Sequence, residues 1–545
     1  MPSLLPRVLA AGALLAAILP VPASALETAV DIAIDAAAAR HPISPLIYGL
    51  GFATTEQLRD LNVPLNRSGG DSATLFNWRL NARNAGKDWF FESLSCGQDI
   101  FDQHGDGFVL LSQAGKALPM LTVPMIGWVA RLDHDRKPLA SFSIGKYGLQ
   151  QEADLEGFAE AGNGITLDGT AITDNDPNDA AQPDTPDDQR EWIAHLVDRF
   201  GPAARGGVRY YLMDNEPSFW HSIHRDVHPR GAHAKEVKDL VLTYSRMVKA
   251  VDPTARVVAP EEWGWTAYHY SGFDQQYAVD HGFAQAPDRR TQTGGMDYLP
   301  WLLTQWKDAG HPVDVVSVHF YPQGGEYKDN SDDLSPAIQL LRNRSTRDLW
   351  DPAYRDPTWI NAPVALIPLL RHWVDTYYDP GTPIAITEYN WGGEGSMNGA
   401  TAQADVLGIF GREGLDMATR WATPATGTPT YLAIKLYRNY DDAGATFGDI
   451  SVHARVPDPD TLAVFAAERT SDGALTLMAI NKQLDQEIPV TLSLANFPPQ
   501  GSLDTVRLAE GRLATLAPSS YARGRVTARL PAQSVTLFVL NGRHP

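Results

Sequence analysis

Eight short apolar segments recur along the chain, at residues 46–51, 63–67, 120–126, 208–213, 256–260, 313–319, 383–388 and 430–437, and each ends in polar or Gly-rich sequence. Between several of them the apolar residues fall at helical spacing, at 190–200, 236–251, 298–309 and 364–377. A strand that is apolar throughout must be covered on both faces. Strand and helix in alternation achieve this by closing into a parallel (β/α)8 barrel. The spacing therefore predicts an α/β fold with a TIM-like barrel over residues 41–445. In such a barrel, function collects where the strands end at their C-terminal side.

The fourth and seventh segments end alike. Tyr210-Tyr211-Leu212-Met213-Asp214-Asn215-Glu216-Pro217 is an apolar, aromatic run that stops at a proline, which cannot continue a ladder. Ile384-Ala385-Ile386-Thr387-Glu388-Tyr389-Asn390-Trp391 is a second short strand ending in Glu beside aromatics. A Glu at a strand end is commonly a surface residue. Two of them, each wrapped in amide and aromatic side chains on one face of a barrel, suit the paired carboxyls of glycosidic bond cleavage.

After residue 450 the texture changes. Residues 461–469, 475–481, 488–494 and 534–540 are apolar or alternating, with Asp-Gly, Pro and Gly turns and no helical pattern between them. A β-sandwich is predicted over 446–545. Residues 29–36 alternate with period two, and the segment 26–40 is expected to supply a strand to that sandwich. The first 25 residues carry one charge, Arg7, then an apolar run and Ala23-Ser24-Ala25. That pattern predicts a secretory signal peptide and hence a secreted protein, extracellular or periplasmic. No later segment reads as a membrane span.

The formal net charge of −20 argues against nucleic acid as a partner and against an anionic polymer as substrate, whereas a neutral polymer meets no such penalty. The single cysteine, Cys96, excludes an intramolecular disulfide. Among the 14 tryptophans, Trp128, Trp220, Trp263, Trp265 and Trp391 lie near the segment ends and are candidate stacking platforms for a sugar face. Arg67 is a candidate partner for Glu388. Residues 150–189 are polar, and Asp174, Asp176, Asn178 and Asp179 offer oxygen ligands for a structural Ca²⁺, although their spacing is not that of an EF-hand. No cofactor is required for two-carboxylate chemistry, and a monomer is expected.

Longer motifs carry a family resemblance. Asn215-Glu216-Pro217-Ser218-Phe219-Trp220-His221-Ser222-Ile223-His224-Arg225-Asp226-Val227-His228-Pro229 closely resembles the acid/base segment of glycoside hydrolase family 44, and Ile386-Thr387-Glu388-Tyr389-Asn390-Trp391-Gly392 its nucleophile segment. Arg67-Ser68-Gly69-Gly70, Pro124-Met125-Ile126-Gly127-Trp128, Glu262-Trp263-Gly264-Trp265, His319-Phe320-Tyr321-Pro322-Gln323 and Tyr437-Arg438-Asn439-Tyr440 follow in the same order, so the resemblance covers residues 43–450. It implies a TIM-like barrel with a β-sandwich and a secreted, retaining endo-β-1,4-glucanase acting on neutral plant β-glucans, xyloglucan and soluble cellulose derivatives among them. It also implies roles: Glu216 as acid/base, Glu388 as nucleophile, Asn215 on the sugar 2-OH, and Tyr321 on the nucleophile. Ser218-Phe219 stands where the family commonly has an acidic residue after Asn-Glu-Pro.

Two other readings remain open at this point. One is a non-catalytic polysaccharide-binding protein that kept the groove. The other is a metal-dependent hydrolase built on His221, His224, Asp226 and His228, a cluster without the H-E-x-x-H spacing of zinc proteases.

Overall fold

The computed structural model describes residues 29–327 and 333–542. The expected signal peptide lies outside the described residues. The strands used below are β1 (Val30–Asp35), then β2 (Gly49–Gly51), β3 (Leu65–Ser68), β4 (Leu118–Val123), β5 (Tyr210–Met213), β6 (Arg256–Glu262), β7 (Val315–Phe320), β8 (Ile384–Tyr389) and β9 (Met417–Arg420). Strands β2 to β9 pair in parallel and close into a barrel, with β9 returning to β2. One main helix follows each barrel strand: α1 (Thr55–Leu61), α2 (Asp106–Ala114), α3 (Pro186–Phe200), α4 (Ala234–Val251), α5 (Tyr298–Asp308), α6 (Leu366–Tyr377), α7 (Met397–Arg412) and α8 (Pro429–Arg438). No helix among the described residues is long and apolar enough to cross a membrane.

Helix starts follow local chemistry. Thr185 caps α3 in a reciprocal capping box with Asp188, and Pro186 occupies the first turn, where its missing N–H costs nothing. The segment 430–437, predicted as a strand, is instead the body of α8. Thr428 accepts from Tyr431 N and Pro429 starts the turn, a cap signal that outweighs the apolar run. The eighth strand is the short β9 before it. Helix α7 shows no helical periodicity in sequence because nearly all of it is buried, so no polar face marks the period.

The main strands of the sandwich, besides β1, are β10 (Ile450–Arg455), β11 (Leu462–Arg469), β12 (Ala474–Asn481), β13 (Ile488–Ala495), β14 (Gly501–Ala509), β15 (Arg512–Thr515), β16 (Arg525–Leu530) and β17 (Ser534–Gly542). Their order is β15-β14-β17-β12-β11-β10-β1-β13-β16. Strand β10 joins the two halves of this path: its first residues pair with β11 and its last with β1. The halves enclose a core containing Ile32, Val464, Leu477, Val490 and Leu540. The N-terminal strand β1 runs parallel to β13, so both chain ends build the sandwich.

Helix α7 lies between barrel and sandwich. A Cβ at Gly408 would sit 2.1 Å from the Phe465 ring, so only glycine allows this approach of helix to sheet. The junction also holds a buried ion pair, Lys482 Nζ to Asp405 Oδ2 at 2.6 Å, with the ammonium donating to the Asn343 and Pro459 carbonyls as well. Every donor of that lysine is thus satisfied, as a buried charge requires.

Candidate active site

The barrel axis has two layers. Leu65, Met120, Tyr210, Leu212, Val258, Val315, Ala385 and Met417 fill the N-terminal end with apolar side chains. Above them the axis is charged: Arg67, Glu261 and His319 are fully buried there. Two irregularities re-aim side chains into this layer. A register shift between Pro260 and Glu262 turns Glu261 inward, and another at Val318/His319 lets consecutive Thr387 and Glu388 both reach the axis. Thr387 Oγ1 donates to Glu261 Oε1 at 3.0 Å.

Arg67 organises the layer. Its Nη1 lies 2.7 Å from Glu388 Oε1, and its Nη2 3.1 Å from Asn215 Oδ1 and 3.3 Å from Glu261 Oε2. A Cβ on Gly69 would fall 2.4 Å from the guanidinium carbon, and one on Gly70 (φ +71°) 2.5 Å from the Trp421 ring, so the Gly69-Gly70 turn is what lets the arginine fold under the cleft. Tyr321 donates its hydroxyl to Glu388 Oε2 at 2.9 Å. Both oxygens of Glu388 are therefore held.

Glu216 stands at the tip of β5 with φ 48°, one of two left-handed non-glycine residues there; the other is Asp214 at φ 65°. Asp214 fixes the tip. Its carboxylate accepts from Thr74 Oγ1 at 2.7 Å, from Asn215 N at 2.8 Å, from Ile126 N at 3.2 Å and from Met125 N. Backbone strain of this kind persists only where the surroundings over-determine it. Glu216 N donates to the Glu261 carbonyl at 3.0 Å.

His319 joins the carboxyls. Its Nδ1 is 2.8 Å from Glu216 Oε1 and 3.5 Å from Glu388 Oε2, and its Nε2 is 3.2 Å from Glu261 Oε2. Burial alone would depress its pKa, but the carboxylates of Glu388, Glu216 and Glu261 push it up to about 10, so the ring is an imidazolium at neutral pH. Burial likewise opposes the charge on Glu261, yet His319 and Arg67 hold its pKa below the usual range. Glu216 is raised, by burial first and by the Glu388 charge, with His319 pulling the other way. Oxygens of Glu216 and Glu388 lie within 4.8 Å of each other. Sequence reasoning named Glu216, Glu388, Asn215, Tyr321 and Arg67, and the fold brings all five together. It missed Glu261 and His319, although both lay inside quoted or adjoining motifs. Both lie near the ends of the neighbouring strands β6 and β7, but the register shifts, not the sequence pattern, decide which way their side chains turn.

The tryptophans divide. Trp220 and Trp391 are 1 % and 2 % exposed and cannot stack on a sugar. Trp220 donates to the Asn215 carbonyl and Trp391 to Ser345 Oγ, so both support the cleft from behind. Trp128 and Trp265 are half-buried, and Trp263 packs against Phe219 with ring centroids 5.4 Å apart. More open are Trp89 and Trp359, at 47 % and 56 %, neither of which sequence reasoning had named. They sit on the loops after β3 and β7, diametrically opposed strands of the ring. The Trp359 indole N–H is pinned by Gln323 Oε1 at 3.3 Å, two residues from Tyr321.

The expected cation loop does not assemble. Asp179 binds Lys146 Nζ at 2.6 and 2.7 Å and Tyr147 OH at 2.6 Å, Asp176 caps Asn178, and Asp174 is exposed. An ammonium thus stands where a cation was expected. The histidine cluster does not gather either: His224 and Asp226 are buried, and His228 pairs with Glu236 at 2.9 Å. Among the described residues, the only group of three or more His, Cys, Asp or Glu side chains with ligand atoms within 4.8 Å of one another is Glu216, His319 and Glu388.

Comparison with known proteins agrees with this geometry. A sequence profile of glycoside hydrolase family 44 matches residues 82–324. Endoglucanase A of Paenibacillus lautus is 32 % identical over 507 aligned positions, covering 87 % of this chain and 67 % of that protein. Beta-mannanase/endoglucanase A of Caldicellulosiruptor saccharolyticus is 28 % identical over 86 % of this chain, which spans about a third (35 %) of that longer protein. Among solved structures, CelM2, a bifunctional glucanase-xylanase from a metagenome library, superposes with a TM-score of 0.91 at 53 % identity, covering 94 % of this chain and 99 % of its own. A family 44 xyloglucanase from Paenibacillus polymyxa gives a TM-score of 0.76 at 28 % identity, covering the same shares, 94 % and 99 %. With this barrel, this pair of carboxyls and these relatives, the chain belongs to glycoside hydrolase family 44 and is a glycoside hydrolase.

Proposed function

We propose that the protein is a secreted, endo-acting, retaining β-1,4-glucanase that cleaves xyloglucan and soluble β-glucans by double displacement, with Glu388 as nucleophile and Glu216 as acid/base. The observation that carries this reading is the short separation of the Glu216 and Glu388 oxygens, within 4.8 Å. Retaining glycosidases hold their carboxyl groups about 5–5.5 Å apart, whereas inverting ones leave room for a water at about 6.5–9.5 Å.

The chemistry follows from the charges. Arg67 and His319 supply two positive charges, and Glu261 and Glu388 two negative ones. The layer is then neutral with a proton on Glu216. Glu388 attacks the anomeric carbon as a carboxylate while the Glu216 proton passes to the glycosidic oxygen, and the leaving chain departs as an alcohol. A glycosyl ester remains on Glu388. Esterification removes the Glu388 charge that had helped to raise Glu216, so Glu216 becomes the more acidic partner and now serves as base. It takes a proton from an entering water, whose oxygen attacks the anomeric carbon and restores Glu388.

Exposed tryptophans on opposed loops, Trp89 and Trp359, are assigned here as platforms at the two ends of an open cleft, which supports internal cleavage. The relatives' described activities on glucan, xylan and xyloglucan support the substrate class. Proton NMR of the first product from xyloglucan tests the reading: a β-anomer is expected, and an α-anomer formed first would contradict it. Viscosity should collapse while few reducing ends have appeared. Viscosity falling only in proportion to released sugar would exclude endo action.

A further inference from the structure

One group in the cleft is left unused by this mechanism. Asp71 opens a one-turn helix, Asp71–Thr74, directly after the Gly69-Gly70 turn. That helix grips the tip of β5 at two points. Thr74 donates to Asp214, as described above, and Asn215 Nδ2 donates to Asp71 Oδ1 at 3.0 Å. The Asn215 amide therefore has no freedom to flip. Its oxygen faces the Arg67 guanidinium and its nitrogen faces the Asp71 carboxyl, and the reversed assignment would set donor against donor and acceptor against acceptor. One Nδ2 hydrogen is used on Asp71; the other has no partner among the described residues. Arg67 binds Asn215 through one nitrogen and Glu388 through the other, so the two are held on one guanidinium.

We propose that Asp71 is a positioning residue: by fixing the Asn215 amide against Arg67, it aims the free Nδ2 hydrogen at the 2-hydroxyl of the reacting sugar. This rests on the retaining-glycosidase reading above. Asp71 has a neighbour suited to the task. Burial, then the Asp88, Glu216 and Glu388 carboxylates, push its pKa well above the usual carboxylate range, with a hydrogen bond to Asp88 among the causes. With a proton on the oxygen that faces Asp88, the other Asp71 oxygen is a plain acceptor for Asn215, so the group behaves as an amide would.

The test compares an aryl β-cellobioside with its analogue lacking the 2-hydroxyl on the reacting sugar, with circular dichroism confirming that each variant folds. Asp71→Leu should lower kcat/KM about tenfold on the parent substrate and less than twofold on the deoxy analogue. Asp71→Asn, which keeps an oxygen facing Asn215, should recover most of that loss. Asn215→Ala should show the same substrate dependence, and adding Asp71→Leu to it should cost nothing more. Equal losses on both substrates, or losses that multiply in the double variant, overturn the role of Asp71 while leaving the glycosidase reading intact. A wild-type protein that cleaves neither substrate nor any polysaccharide overturns the reading beneath it.

Discussion

Replacing His319 tests the charge balance of the barrel axis. At about 10, its pKa keeps the ring cationic throughout the working range, with Nδ1 2.8 Å from Glu216. A positive charge there stabilises the Glu216 carboxylate and opposes the rise caused by burial. His319→Gln removes the charge, so Glu216 should hold its proton to higher pH. An opposite charge at such range shifts a carboxyl by about 1–3 units. Because the glutamine can still donate a neutral hydrogen bond, a shift of about 1–2 units is expected, or about 1.4–2.7 kcal/mol. The basic limb of kcat/KM against pH reports deprotonation of the acid, and it should move up by that amount on an aryl cellobioside. Glu261→Gln removes a negative charge from the same layer and should move the limb the other way. Both variants break buried ion pairs, so a stability loss of about 3–5 kcal/mol is expected in thermal melts. A basic limb that stays in place or moves down in His319→Gln would mean that the ring is neutral in the working enzyme, and the charge argument would fail.

Other outcomes follow from the same geometry. Glu216→Gln should cut turnover of polysaccharide by orders of magnitude but spare aryl glycosides with good leaving groups, and azide should rescue them; equal loss on all substrates would refute the acid role. Trp359→Ala should raise KM for xyloglucan several-fold and leave a short aryl cellobioside unaffected, because the platform sits beyond Gln323 and away from the reacting bond; a matching loss on both would place it elsewhere. Asp405→Ala should leave the Lys482 ammonium buried without its counter-charge and cost about 3–5 kcal/mol, read as a lower Tm with kcat retained. Asp176→Asn should leave any change of Tm in chelator the same as in wild type, since Lys146 already occupies Asp179; loss of that change would restore the calcium reading.

The barrel was legible because buried parallel strands are apolar throughout and their helices keep one polar face. Where that contrast vanished, so did the signal: α7 has no polar face, and β9 is four residues long. Residues 430–437 misled for the opposite reason, since aromatic and β-branched residues filled a helix whose only strong mark was Thr428-Pro429. Glu216 and Glu388 were legible because a charged residue closing an apolar strand is locally anomalous. Glu261 and His319 depend on a β-bulge and a register shift, which no local pattern records. Trp220 and Trp391 were misplaced because proximity along the chain does not tell the front of a cleft from its back.

Double displacement requires that Glu388 become esterified to the sugar. A fluorinated cellobiosyl inhibitor with a good leaving group should form that ester and hydrolyse it slowly, so peptide mass spectrometry of the inactivated protein locates the bond. One glycosyl adduct per chain is expected, on Glu388, with regain of activity on adding an acceptor sugar. An adduct on any other residue, or inactivation without an adduct, would contradict it.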